Sequence, residues 1–481
     1  MKASLVISVF HALWANAQLT GPVGPTTDLS QKTHECNILD YGAANHNKTD
    51  AADAIEKTFK TCVLAHSGSR LVIPEGQYLI KRSVTVGRKL ILQGFAGVEP
   101  LNATINGEGD GQFLQNGLTI INRKHTAIDS IILSLTWVLA VDFEFFSKNG
   151  KGAIQGQGYI YRNMANTFRP RLVRLISPIG TAVHDLILVD SPKFHIVFDF
   201  AENLEVYHLT IRGANLGSYD GVDVVGTNYW IHDIEVTNRD ECVSVKSPSN
   251  HAPVENLVCN QAGSGISIGS LNVSASIANI HARNISIIQG NNIAFIKTYP
   301  GGSGYVSNIT FENFRSKASL YGLDINQYWQ NTFEPDTGAI ALTNLVFKNF
   351  SGSVGDGAKR PPLFLVANDL RFATNITVED FSLWTESGTF IVNKIGNIFG
   401  HGDNSYGGAD GIKSLTSGQS PTPYTSTYTI TAKPTGWTAP SLPTWAVTST
   451  GYGTDVPIPV YTPAALWKPD GDYNKHYWGS F

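Results

Sequence analysis

A single-stranded right-handed parallel β-helix is the fold this 481-residue chain predicts, and three observations predict it. Strand-length apolar or β-branched runs recur behind an Asn or a His-Asp: Val183-His184-Asp185-Leu186-Ile187-Leu188, Trp230-Ile231-His232-Asp233-Ile234-Glu235-Val236, Val306-Ser307-Asn308-Ile309-Thr310-Phe311, Leu342-Thr343-Asn344-Leu345-Val346-Phe347 and Thr374-Asn375-Ile376-Thr377-Val378. Gly, Asn and Ser punctuate these runs at intervals of roughly 20 to 35 residues, too short for strand-helix-strand units and too open for hairpins. Charged residues make up only 15% of the chain while glycine reaches 46 residues, the composition of a turn-rich β protein whose surface rests on Asn, Ser, Thr and Gly rather than on ion pairs. Coils of this kind stack and bury their inward Val, Ile, Leu and Phe in one continuous core. A β-sandwich would want Asn-Gly hairpin turns at fixed positions, and Asn106-Gly107 and Asn116-Gly117 are too few.

Taken in order, residues 1–17 read as an export signal. Lys2 supplies the positive charge, Leu5 to Trp14 the apolar segment, and Ala15-Asn16-Ala17 a small-x-small cleavage site before Gln18. The solenoid is expected over residues 18–410. Within it, residues 48 to 65 carry the best helical spacing, through Ala51, Ile55, Phe59 and Cys62, with Thr49 or Asp50 as N-cap. A solenoid exposes raw strand edges at its ends, so an amphipathic helix here serves as a cap. Residues 411–481 turn to Ser, Thr, Pro and Gly, a tail that packs on the solenoid or extends from it. No later apolar stretch approaches the ~20 residues a membrane helix needs. A net charge of −4 without any run of Lys or Arg argues against nucleic acid as a partner.

The four cysteines, Cys36, Cys62, Cys242 and Cys259, fall as two locally spaced pairs. In an oxidising compartment this spacing favours Cys36–Cys62 and Cys242–Cys259, the most local of three possible connectivities, each worth roughly 3 kcal/mol by chain entropy. A zinc site is the competing use of cysteine, but no Cys-x-x-Cys or clustered His supports it. Seven Asn-x-Ser/Thr sequons, at Asn47, Asn102, Asn272, Asn284, Asn308, Asn349 and Asn375, are candidate glycosylation sites.

Acidic residues are sparse, so their clusters matter. Asp220-Gly221-Val222-Asp223 is followed one coil later by Asp240-Glu241. Stacking would bring three carboxyl groups into one patch, at the strand spacing of about 4.8 Å. Like charges so placed push one pKa upward, which is how a carboxylic acid stays protonated and able to donate to a leaving group. Paired carboxyls are also the minimum equipment for hydrolysing a glycosidic bond. Later coils would add Ser264 within a Gly-Ser-Gly stretch, Phe295 and the cation Lys297, and Tyr328 beside Trp329, an aromatic pair suited to a sugar face.

This series resembles the glycoside hydrolase family of polygalacturonases and rhamnogalacturonan hydrolases, family 28, whose marks are Asn-Thr-Asp, Asp-Asp, Gly-His-Gly and Arg-Ile-Lys. Asn37-Ile38-Leu39-Asp40-Tyr41-Gly42-Ala43, Gly152-Ala153-Ile154-Gln155-Gly156-Gln157-Gly158 and Leu188-Val189-Asp190-Ser191-Pro192-Lys193-Phe194-His195 extend the likeness over most of the chain. The departures are informative. Glu241 stands where polygalacturonases have the second Asp, Ser264 where they have His, and Phe295 where they have Arg, while Lys297 is retained. Losing the Arg removes a bidentate fork for a uronate carboxylate and supplies an apolar wall, which suits a 6-deoxy sugar such as rhamnose. The pattern is closest to the fungal rhamnogalacturonan hydrolases.

The resemblance implies an inverting hydrolase that cuts galacturonate–rhamnose bonds in the rhamnogalacturonan I backbone of pectin without cofactor or metal. Asp240 would be the general acid, Asp220 and Glu241 would hold and deprotonate the attacking water, and Asp223, Ser264, Phe295, Lys297 and Tyr328 would line the substrate site. Activity on homogalacturonan or xylogalacturonan, endo or exo, is the alternative within the class. A Ca²⁺-dependent pectate-type lyase could use the same carboxylates as ligands, and a carbohydrate-binding β-helix would bind without turnover. The expected protein is extracellular and monomeric, with a pectic polysaccharide as partner and a bell-shaped pH profile centred on the acid side.

Overall fold

The computed structural model describes residues 19–46, 48–80, 84–87, 98–100, 112–115, 135–138, 140–147, 150, 152–163, 169–331, 337–356, 361–403, 411–416, 418–433, 435–438 and 458. The export signal, the sequons Asn47 and Asn102, both Asn-Gly pairs and most of the tail lie outside the described residues. The strands of the described residues join one sheet, 25 in number, and almost all the pairings are parallel. The parallel β-helix is therefore the fold.

Its core follows from register. Ile196, Val222, Val243, Ile266, Ala294, Leu323 and Leu363 lie directly above one another and are all fully buried. A second stack runs Val183, Val206, Ile231, Val254, Ala282, Phe311, Phe347 and Val378. The recurring apolar runs are thus successive layers of one core.

The asparagines that precede these runs have a backbone reason to be there. Asp233, Asn256, Asn284, Asn313 and Asn349 all sit at positive φ, at the bend between two faces of the coil. Asn tolerates the left-handed region better than most residues. Side-chain amides then bond coil to coil: Asn256 donates to Asp233 at 3.1 Å, Asn284 to Asn256 at 3.1 Å, Asn313 to Asn284 at 3.2 Å and Asn349 to Asn313 at 2.7 Å. A second ladder runs Asn375, Asn344, Asn308, Asn279 and Asn250. Four sequon asparagines, Asn284, Asn308, Asn349 and Asn375, are therefore ladder members, whereas Asn272 is exposed just after strand Ser264–Leu271.

Toward the amino-terminal end the row next to the second core stack is aromatic. The rings of Phe146, His184, Tyr207 and His232 lie nearly parallel at 4.8, 4.5 and 5.1 Å. Both nitrogens of His184 face carboxylates, Asp185 at 2.7 Å and Glu144 at 3.0 Å; those of His232 face Asp233 at 2.7 Å and Glu205 at 3.3 Å. Ionised carboxylates only accept, so both imidazoles must carry two protons. Burial opposes the charge, but the carboxylates prevail and hold both pKa values above the ordinary histidine value. A raised folded-state pKa contributes stability that is full below about 6.5, the unfolded value, and is lost as pH rises through the folded one. The double change His184→Gln with His232→Gln should therefore lower the melting temperature more at pH 5 than at pH 9; an equal loss at both would refute doubly protonated histidines.

The expected cap is present as helix Ala52–Thr61, followed by a short 3₁₀ turn, Val63–Ala65. Asp50 accepts from the Ala52 amide at 3.0 Å, and Ala52, Ala54, Ile55, Thr58 and Phe59 face the core. Both disulfides have the local connectivity, Cys36–Cys62 and Cys242–Cys259, with Cα atoms 5.8 and 5.9 Å apart. Two described pieces of the tail touch the solenoid. Strand Thr425–Ile430 pairs antiparallel with Ile391–Gly396 and covers that edge, and the Ile458 carbonyl accepts from Gln155 at 2.9 Å.

Candidate active site

The site grows from the strand that carries the first core stack. Between its inward residues the outward positions in register are Asp223, Ser244, Ser267, Phe295 and Asp324, because alternate residues of a strand face opposite sides. A second row in register is Glu241, Ser264, Asn292 and Tyr321, at the start of the same strands. The Gly221 amide donates to the Glu241 carbonyl at 2.8 Å, which sets Asp220 beside that row. Two glycines make this approach possible. A Cβ on Gly221 would lie 2.5 Å from the Cys242 carbonyl, and one on Gly263 would lie 2.8 Å from the Cα of Asp240.

Asp220, Asp240 and Glu241 come together as expected, their nearest oxygens all within 4.8 Å of one another. That is closer than the roughly 6.5–9.5 Å usual for two carboxyls with a water between them. Asp240 accepts from the Ser218 amide and, at 3.1 Å, from the Glu241 amide. Asn238 donates to the Tyr219 and Glu241 carbonyls at 2.8 and 3.2 Å and so ties the two acidic segments together. On the far side Lys297 donates to Glu241 in a buried ion pair.

Burial and mutual repulsion divide the protons. Burial, the bond to Glu241 and that residue's charge push Asp240 up to about 8. Burial is outweighed at Glu241 by the Asp240 proton, Lys297 and Lys246, which hold it well below the usual carboxylate range. Asp220 is held well above that range by burial and by Asp223, Glu241 and Asp240. Burial also raises Asp223, against the pull of Lys246. At mildly acidic pH the patch therefore contains a protonated acid, Asp240, directly beside an ionised carboxylate, Glu241.

The remaining expected residues are placed less simply. Ser264 is buried between Glu241 and Asn292. Lys297 is in register with Gly269 and Asn326, not with Ser264, and reaches Glu241 along its stem. The expected residues therefore fall on three register levels, that of Glu241 and Ser264, that of Asp223 and Phe295, and that of Lys297, and the coils between them lengthen from 23 residues (241 to 264) to 28 (264 to 292). Trp329 meets Phe295 edge to face at 5.0 Å and takes the Lys297 ammonium 5.1 Å over its ring, with the same ammonium 5.3 Å over Phe295. The Tyr328 hydroxyl instead accepts from the Asp369 amide at 2.9 Å.

Several site residues escaped the sequence reading. Lys246 donates to the Gly269 carbonyl at 2.8 Å and spreads its charge over all four carboxyls. Asn292 donates to Asp324 at 2.9 Å, and burial pushes Asp324 up to about 8. His195, driven down to about 4 by burial and hence neutral, donates from Nδ1 to the Asp220 carbonyl at 2.9 Å. A register count would have found Asn292, and His195 ends the motif Leu188 to His195 quoted above; Lys246 and Asp324 carry no motif of their own.

The chain is similar to known proteins. The family model described as glycosyl hydrolases family 28 matches residues 100–398. Rhamnogalacturonase A of Aspergillus niger is 38% identical over 460 residues, covering 95% of this chain and 94% of that protein. The probable rhamnogalacturonase E of Aspergillus flavus is 39% identical over 454 residues, covering 94% and 93%. Among solved structures, the endo-xylogalacturonan hydrolase of Aspergillus tubingensis superposes with a TM-score of 0.59 at 20% identity, over 79% of this chain and 99% of that one, a likeness of fold.

Proposed function

The chain belongs to glycosyl hydrolases family 28 and is a glycoside hydrolase, and from that premise we propose that it is secreted, acts as a monomer and cuts galacturonate–rhamnose bonds in the rhamnogalacturonan backbone of pectin with inversion. The observation that carries this reading is the meeting of Asp220, Asp240 and Glu241 beside Lys297, whose ammonium lies over the rings of Phe295 and Trp329. Relatives named rhamnogalacturonase support the substrate. Two disulfides support an oxidising destination.

In the proposed mechanism Asp240 gives its proton to the departing glycosidic oxygen. Asp220 and Glu241 hold the attacking water, and Glu241, the ionised member, takes its proton. A substrate oxygen that draws Lys297 toward itself frees Glu241 to act as base. With the nearest oxygens so close, the water is received at the open edge of the trio rather than between them. Phe295 and Trp329 pack the deoxy face of rhamnose, and Asp223, Ser264 and Tyr328 complete the surroundings of the sugar.

The test is incubation with de-esterified rhamnogalacturonan I and, separately, polygalacturonate, following reducing ends, the anomer first released and ultraviolet absorbance. New reducing ends from rhamnogalacturonan alone, in the inverted anomer, are expected. Release from polygalacturonate alone would overturn the substrate, a retained anomer the mechanism. Rising absorbance abolished by a chelator would mean a cation-dependent lyase.

A further inference from the structure

We propose that Arg169, Arg171 and Lys193 form a subsite for the carboxylate of a uronic acid, on the coil that precedes Asp220. This proposal rests on the function proposed above and gives the substrate a direction along the groove. Phe194 is the centre of the cluster. The Lys193 ammonium lies 4.8 Å over its ring and the Arg171 guanidinium 5.7 Å over it. Arg169 lies 4.8 Å over the ring of Tyr219 and donates to its hydroxyl, and Tyr219 directly precedes Asp220. The next residue after Phe194, His195, bonds the Asp220 carbonyl through both its amide and its ring at 2.9 Å. The three cations are thereby fixed against the catalytic trio by backbone and ring contacts.

Their charge is not spent elsewhere. All three side chains are half-buried, and among the described residues none forms an ion pair. Burial and the two guanidiniums hold the Lys193 ammonium below its ordinary pKa, against the pull of Asp220 and Asp223. Those carboxyls are themselves held toward the neutral acid, so they only partly balance the cluster. Three like charges at half-buried positions repel one another, and an anion arriving there relieves the repulsion while accepting from two planar forks and an ammonium. The opposite side of the trio differs. There the cation that lies over Phe295 and Trp329, Lys297, is already paired with Glu241. A polymer that alternates a uronate with a deoxy sugar matches this asymmetry in only one orientation: carboxylate toward Phe194, methyl group toward Phe295.

The experiment compares Lys193→Gln, Arg171→Gln, their combination and Arg171→Lys on rhamnogalacturonan and on the same polymer with its carboxyls reduced to alcohols. Each single loss of charge should lower kcat/KM on the native polymer about tenfold, and Arg171→Lys should recover part of it. Wild type should lose on the reduced polymer about what the combined variant loses on the native one, and that variant should lose little more. A combined variant with wild-type efficiency, or one that falls equally on both polymers, would overturn the subsite. Should it not fold, Lys193→Gln carries the same comparison. If the enzyme cuts polygalacturonate and not rhamnogalacturonan, the function proposed above fails, and the native-to-reduced comparison on that polymer decides the subsite alone.

Discussion

Replacing Asp240 by Asn should cut kcat on pectic polymer by roughly 10²–10⁴-fold, the usual contribution of a positioned acid, with the fold intact. The argument for both halves is the same proton. Asp240 is held up to about 8, chiefly by burial and by Glu241, so at mildly acidic pH it is neutral. Asn is then close in size and equal in charge, although its one amide oxygen can accept from only one of the Ser218 and Glu241 amides, which bond separate oxygens of Asp240. What is lost is the donated proton together with one accepted backbone bond, a loss of about 1 kcal/mol that the fold can bear. The wild-type profile should accordingly fall on its basic side near that pKa, and on its acid side only where a base carboxylate takes up a proton. Its centre then lies below neutrality. Rates from reducing-end assays between pH 3 and 9, with melting temperatures for both proteins, check this. A variant within tenfold of wild type would remove Asp240 from the role of acid, and one that no longer folds would show the carboxyl to be structural.

Lys297→Met should be the most destabilising single change in the site, by about 3–5 kcal/mol, because it leaves a buried carboxylate without its cation. Glu241 and Lys297 are 6% and 10% exposed at their side chains, so solvent screens the pair little. The sign with pH can be worked through. Burial raises the Glu241 pKa, but the Asp240 bond, Lys297 and Lys246 overcome it and depress the value in the folded protein. A depressed carboxylate contributes stability above its unfolded value of about 4.3, lost as pH falls through the folded one. The gap between wild type and Lys297→Met should therefore be widest at pH 6 and narrow toward pH 3. Thermal unfolding at the two values tests it. A gap that widens in acid would mean that the pair is not what stabilises the site, and an unchanged acid limb of activity would separate Glu241 from the base role.

How far the site could be read beforehand depended on the residue. Asp220, Asp240 and Glu241 were legible because acidic residues are few and one coil apart, and stacking turns that spacing into proximity. The sequence offers Tyr328 and Trp329 as a pair with Tyr328 in the site, and only the tertiary structure tells that the Trp329 ring meets Lys297 while the Tyr328 hydroxyl bonds the Asp369 amide. Lys246 and Asn292 were missed for a different reason. Coils lengthen along the solenoid, so the alignment of one strand with the next is set by loop length rather than by any local pattern. Arg169, Arg171 and Lys193 lie on segments that show no charge run at all; Phe194 and Tyr219 bring them together.

The sequence by itself determined the solenoid, its capping helix, the local disulfide connectivity and the set of carboxyl groups available for chemistry, since strand period, bend-forming Asn, cysteine spacing and residue scarcity are all local properties of the chain. Only the tertiary structure decided which of those carboxyls keeps its proton, which aromatic ring covers Lys297 and where unspent positive charge collects. These depend on burial and on distances of a few ångströms between different coils, where a low dielectric makes each neighbour count and where no single stretch of sequence contains both partners.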